Sequence, residues 1–234
     1  REGKAKTLRS SLEEAISDAI APARIAQLIR SHFPLTSAPT VPEIRLHKAE
    51  PGSGLWRFAE VDESFGAPYW AHHWGGGLAL ARHVLDHPGI VAGRRVLDLG
   101  AGSGIVGIAA AKSAARHVVA ADVDPYAIAA IDLNAAANGV TISTIPGDPT
   151  TGAPPDVEIV LVGDLFYEAT LARKVTSFLD RCLESEIDVL IGDPWRKFLP
   201  VERLDVLAEY SGGDFRDTAS GEQKRNDLFS LKPV

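Results

Sequence analysis

The stretch Val96-Leu-Asp-Leu-Gly-Ala-Gly-Ser-Gly104 constrains this chain more than any other. A short apolar run that reads as a buried strand enters glycines at alternate positions, and an alanine-rich segment follows at once. Glycine permits a sharp turn and close approach of a ligand to the backbone, so the pattern predicts strand, tight turn and helix. From Gly93 onward, apolar runs alternate with helical stretches, the sign of a parallel sheet with crossover helices. Strands are expected at 95–99, 117–121, 141–145, 157–163 and 188–192, with helices near 104–113, 125–138, 171–183 and 200–209. Segments 215–219 and 227–231 read as a terminal strand pair. The predicted fold is a Rossmann-like, doubly wound α/β domain over 67–234, preceded by an extension over 1–66. In that extension, 11–31 reads as one or two amphipathic helices with a break or new start at Pro22, and 43–48 as a short strand.

Composition narrows the function classes. Lys and Arg total 24 against 31 Asp and Glu, a net charge of −7, which gives no electrostatic reason to expect nucleic acid. A single cysteine, Cys182, permits no internal disulfide and excludes a cysteine-rich zinc module. It is expected to pack in a helix core. No apolar run approaches the length of a membrane span, and no secretory signal is read in the first ten residues. The expected location is the cytoplasm of a bacterium.

Gly102, Gly104 and Gly107 satisfy the G-x-G-x-x-G spacing of a dinucleotide site, where a helix N-terminus holds a pyrophosphate. Asp98, two residues before Gly100, suits a cationic ligand better. A carboxylate there favours a molecule with an ammonium and a sulfonium, such as S-adenosylmethionine. Asp122, at the end of the next strand, is placed to accept two ribose hydroxyls, while Asp124 before Pro125 reads as a helix cap. Asp148 is a candidate for the adenine amino group. A nicotinamide cofactor and a ligand-free turn remain the other readings of the glycine run.

The fourth strand ends in Gly163-Asp-Leu-Phe-Tyr167-Glu, facing the same crevice. It lacks the paired prolines found in methyltransferases acting on planar amide or base nitrogens. Upstream lies Pro68-Tyr-Trp-Ala-His-His-Trp74-Gly-Gly-Gly77, followed by a predicted helix to Leu85. With Ala121-Asp-Val-Asp-Pro125 and Ile191-Gly-Asp-Pro194, these motifs resemble the seven-β-strand protein methyltransferases that carry an Asp-x-x-Tyr motif. More closely they resemble the lysine methyltransferases of the electron-transfer flavoprotein β subunit, relatives of the ribosomal protein L11 methyltransferases.

The resemblance implies that Trp74, Asp98, Gly100, Gly102 and Asp122 contact or enclose S-adenosylmethionine. It implies that Asp164 and Tyr167 face an incoming lysine of the flavoprotein subunit, and a ribosomal protein is a possible second substrate. Asp164 would bind and orient the amine, Tyr167 would add a ring wall and a hydroxyl, and the proton would pass to water without a metal. Asp164 as a cap for the following helix, and Phe166 and Tyr167 as core aromatics, are the plainer readings. A small-molecule methyltransferase and a noncatalytic binding module are the other functional readings. Adjacent residues cannot share one face of a regular element, so His72 and His73 are expected at the surface or in packing. Trp195-Arg-Lys197 reads as a substrate rim or an exposed loop.

Overall fold

A computed structural model describes residues 22–50, 53–56, 66–212 and 224–233. The predicted helix over 11–21 and the strand over 215–219 lie outside them. Helix α1 (Pro22–His32) begins at Pro22, whose missing N–H and fixed φ suit a first helical position. It leads into the hairpin β1 (Leu35–Ala38) and β2 (Val41–His47). Strand periodicity aligns Ile44, Leu46 and the residue beyond the strand, Lys48, on one buried face.

The main sheet carries β3 (Arg95–Leu99), β4 (His117–Asp122), β5 (Ser143–Pro146), β6 (Ile159–Gly163), β7 (Asp188–Asp193), β8 (Leu204–Gly212) and β9 (Lys224–Leu231). Among the described residues its order is β5-β4-β3-β6-β7-β9-β8, parallel from β5 to β7 and antiparallel beyond. The chain runs outward from β3 through β4 and β5, then returns to place β6 on the other side of β3. That reversal opens a crevice at the carboxyl ends of β3 and β6.

Helices α2 (Gly75–Asp86), α3 (Ile105–Lys112), α4 (Pro125–Ala137) and α5 (Ala169–Glu184) cover the sheet. One core joins α2 and α3 to inner residues of β3, β6 and the N-terminal hairpin, including Val41, Ile44 and Leu46. A second places Val175, Phe178, Leu179 and Cys182 of α5 under the other face. These apolar residues fall on one side of α5, and Cys182 is buried among them, its thiol pushed up to about 11 by burial. A third core sets Ile25, Leu28 and Ile29 of α1 against Trp70 and α4.

The 200–209 segment is not a helix. A 3-10 turn at Val201–Arg203 gives way to β8, which pairs with β9 along its whole length. Leu204, Ala208 and Glu209 favour helix locally, but β9 offers a ladder beside buried Leu228, Phe229 and Leu231 and wins. A register shift between Val206 and Ala208 leaves Val206 and Leu207 both exposed. No helix among the described residues is long and apolar enough to cross a membrane.

Candidate active site

A cavity of about 670 Å³ occupies the crevice, within the size range of small-molecule sites. Its wall includes Trp74, Asp98, Gly100, Gly102, Asp122, Asp148, Asp164 and Tyr167, so every residue singled out for cofactor or acceptor in the sequence meets one space.

At the cofactor end, β3 delivers Asp98 beneath the glycine turn. Its Oδ2 accepts the main-chain N–H of Gly107 at 2.8 Å. Gly104 occupies the N-cap of α3 and offers no side chain, so Asp98 satisfies one of the orphan donors of the first turn from the strand. Burial pushes the Asp98 carboxyl up to about 7, against the lowering effect of that hydrogen bond; the nearby Asp122 adds to the rise. Gly102 adopts φ 53° and donates its N–H to Asp122 Oδ2 at 2.8 Å. A Cβ there would meet nothing nearer than Trp70 Cα at 3.8 Å, so the turn stays open toward the cavity.

Asp122 Oδ1 accepts from the N–H of Asp124 at 3.0 Å. A carboxylate has about four acceptor positions, so Asp122 keeps capacity for hydroxyls. Burial raises its pKa too. Asp124 caps α4 through Tyr126 N–H, and burial pushes it up to about 6. Asp148 lines the wall but is already engaged: Oδ1 accepts from Thr150 N–H at 2.9 Å, and Oδ2 pairs with Lys174. Burial raises its pKa, and the Lys174 and Thr150 contacts outweigh that and hold it low.

These observations fit S-adenosylmethionine. The open turn, the acceptor capacity of Asp122 and the buried Asp98, which has no ion pair among the described residues, match a ribose and a cationic methionine end. A pyrophosphate would meet these carboxylates as like charges, which argues against the dinucleotide reading.

At the acceptor end, Asp164 follows β6 with φ 60°. It does not cap the next helix, because Glu168 does so through the N–H groups of Thr170 and Leu171. Asp164 Oδ2 instead accepts Gly77 N–H of α2 at 2.7 Å, and its Oδ1 accepts Arg196 Nη2 at 2.7 Å. The carboxylate assigned to an incoming lysine is therefore already paired. Two of the three glycines opening α2 are explained by close contact: a Cβ on Gly75 would lie 2.0 Å from Asn226 Oδ1 and one on Gly76 2.2 Å from the carbonyl oxygen of Gly192, whereas one on Gly77 would meet only ordinary contacts.

Phe166 is fully buried in the core, whereas Tyr167 stands half exposed with its ring 5.4 Å from that of Tyr69. Burial pushes the Tyr167 hydroxyl up to about 12, so it stays protonated at neutral pH. Tyr69 also meets Trp74 at 5.6 Å, and the Trp74 indole donates to the Tyr69 carbonyl at 2.8 Å.

Three features escaped the sequence reading. Tyr69 lies inside a quoted motif but had no assigned role. His72 and His73 both line the cavity, because the chain is irregular beyond the 3-10 turn Tyr69–Ala71 and the alternation rule fails there; His72 also stacks on Trp56 at 5.5 Å. Lys48, whose buried face strand alternation predicts, donates to the carbonyls of Trp70 (2.9 Å) and His72 (2.5 Å), and burial lowers it to about 7.

Residues 80–160 match the ribosomal protein L11 methyltransferase (PrmA) family. The chain is 41% identical to the electron transfer flavoprotein beta subunit lysine methyltransferase of Xenopus laevis, over 88% of this chain and 86% of that one. It is 37% identical to the protein of the same name from Rattus norvegicus, covering 75% and 71% of the two chains. A solved structure from Thermoplasma acidophilum superposes with a TM-score of 0.51 at 19% identity, covering 67% of this chain and 88% of the other, and shares the fold. With that similarity across most of its length, the chain belongs to the family of the electron transfer flavoprotein β-subunit lysine methyltransferases.

Proposed function

We propose that this protein transfers a methyl group from S-adenosylmethionine to a lysine side chain of the electron transfer flavoprotein β subunit. The observation that carries the reading is the 41% identity to a relative of that name over 88% of the chain. The cavity supports it, since one space joins a carboxylate-lined glycine turn to an aromatic mouth. The ribosomal protein L11 family matches residues 80–160 only, which hold the cofactor end and stop short of Asp164 and Tyr167. That match supports a shared cofactor site more than a shared substrate.

Asp98 and Asp122, with the Gly100–Gly102 turn, would hold S-adenosylmethionine, whose sulfonium makes its methyl group electrophilic. The chain's own task is then to deliver an amine with a free lone pair. Lysine has an ordinary pKa of about 10.4 and reaches the site protonated. Tyr69 and Tyr167 form an aromatic wall that shields the amine from water, a loss of hydration that disfavours its cation, while the Trp74 face is already taken by Arg196. The Tyr167 hydroxyl, protonated at neutral pH, offers an oxygen that accepts a hydrogen bond and orients the nitrogen. The proton passes to water; the nitrogen lone pair then forms the N–C bond as the C–S bond breaks and its electrons stay on sulfur. Holding nitrogen and methyl carbon in line supplies a large share of the acceleration.

The test is incubation with methyl-labelled S-adenosylmethionine and purified electron transfer flavoprotein, followed by peptide mapping. Label on a β-subunit lysine is expected. Label confined to a ribosomal protein or a small metabolite in a parallel cell extract would overturn the substrate assignment.

A further inference from the structure

Arg196 is the only arginine or lysine lining the cavity among the described residues. Besides Asp164, its guanidinium faces the Trp74 ring, 5.6 Å from the ring centre. A carboxylate and an indole face together are what a lysine ammonium would seek, and here the chain already fills that seat with its own cation.

The loop bearing Arg196 is anchored on both sides. Its main-chain N–H donates to Asp193 Oδ1 at 2.6 Å, and Asp193 is wholly buried. Its neighbour Trp195 takes φ 65°, donates its indole N–H to buried Asp227 at 2.8 Å and packs edge-on against Phe229. The Arg196 side chain is 19% exposed and that of Asp164 only 9%. Removing one member of such a pair leaves the other charge uncompensated, so an incoming cation gains little by displacing the guanidinium.

We propose that Arg196 remains on Asp164 during turnover and sets the protonation state of the acceptor lysine. With Asp164 matched by the guanidinium, and buried Asp193 also facing it at 3.9 Å from Nε, the seat offers an ammonium no uncompensated Asp164 carboxylate, and this favours the neutral amine. Arg196 is a positioning residue that acts through charge, and its role rests on the lysine-methyltransferase reading above. The proton still leaves to water, and no further base is required.

The pH dependence of kcat, measured with saturating flavoprotein and S-adenosylmethionine, tests this because its acid limb reports ionisation in the bound complex. Arg196→Gln removes the cation and leaves Asp164 anionic, so the limb moves to higher pH by about one unit or more. Its deficit is then about tenfold or more near neutrality and shrinks in alkali. Arg196→Lys keeps the limb near that of the wild type, and Asp164→Asn, which leaves the cation only the more distant buried Asp193 at 3.9 Å from its Nε, moves it to lower pH.

An unmoved limb in Arg196→Gln overturns the proposal. So does a lower KM with faster turnover at neutral pH, which would make Arg196 a plug that the substrate displaces. If Arg196→Gln does not fold, an unmoved limb in Asp164→Asn overturns it equally. A wild-type protein that methylates no flavoprotein lysine refutes the functional reading itself, whereas active wild type with unmoved limbs refutes the role of Arg196 alone.

Discussion

Asp98 and Asp164 perform the same architectural task at opposite ends of one cavity. Each is a buried carboxylate projecting from the end of a central strand, and each accepts the N–H of a glycine in the first turn of a helix whose own N-cap residue offers no side-chain hydrogen bond. They differ in their second partner. Asp164 is matched by Arg196 at 2.7 Å, whereas Asp98 has no ion pair among the described residues and is pushed up to about 7 by burial. One helix-capping device is thus already neutralised, and the other has no cation paired with it among the described residues. A site that holds a cationic methyl donor and accepts a neutral amine needs that asymmetry.

The largest expected effect comes from Gly76→Ala. Its Cβ would meet the Gly192 carbonyl oxygen at 2.2 Å and Asp164 Oδ2 at 2.8 Å, driving α2 off the strand ends. A loss of about 3 kcal/mol or more is expected in denaturant unfolding. A variant of wild-type stability would show that the acceptor end does not depend on this contact.

Asp98→Asn and Asp164→Asn separate the two ends more directly. The first keeps an acceptor for Gly107 and removes a charge, so S-adenosylmethionine affinity measured calorimetrically falls about ten- to a hundredfold. Because the folded-state pKa of Asp98 lies above its unfolded value, its charged form weakens the fold as pH rises from about 4 to 7. Asp98→Asn is therefore neutral or stabilising at pH 8, and the difference fades in acid. Asp164→Asn removes the nearer carboxylate from the Arg196 guanidinium, leaving Asp193 at 3.9 Å from its Nε, and costs about 1–3 kcal/mol with little change in cofactor affinity. Equal behaviour of the two variants would erase the distinction.

The same ionisation gives a pH signature in the unmodified protein. A bound cation favours the carboxylate, so below pH 7 binding must expel a proton from Asp98. Affinity for S-adenosylmethionine should be level above pH 7 and fall by up to about tenfold per unit below it, with proton release visible as buffer-dependent binding heat. Affinity independent of pH between 5.5 and 8 would deny Asp98 a place beside the cation.

The smallest effect is expected at Asp148. Its pair with Lys174 is partly exposed, so Lys174→Ala should change stability by no more than about 0.5 kcal/mol. Should it instead alter cofactor affinity more than Asp98→Asn does, the adenine end would outweigh the cationic end.

Much of this site was legible because its chemistry is local in sequence. The glycine turn, Asp122 at a strand end, Asp124 as the cap of α4 and the helices around them follow from short-range rules of spacing and capping. The strand at 204–212 was not, since its state depends on a ladder with residues about twenty positions away. The pairing of Asp164 was equally hidden: a carboxylate before a helix reads as that helix's cap, yet Glu168 took that place and Asp164 turned to α2, 87 residues earlier. For His72 and His73 the alternation argument failed, because it applies only to regular backbone and both line the cavity, while His72 does pack by stacking on Trp56.

The sequence by itself determined the sheet-and-crossover plan and the glycine turn, because hydrophobic period, glycine placement and capping act over a few residues, and its motifs around Trp74 and Asp164–Tyr167 carried the resemblance to the family. Only the tertiary structure decided which carboxylates are neutralised and which remain open. Charge state is set by burial and by partners that the folded chain brings from afar, such as Arg196 from the loop after β7, and no local pattern encodes that meeting.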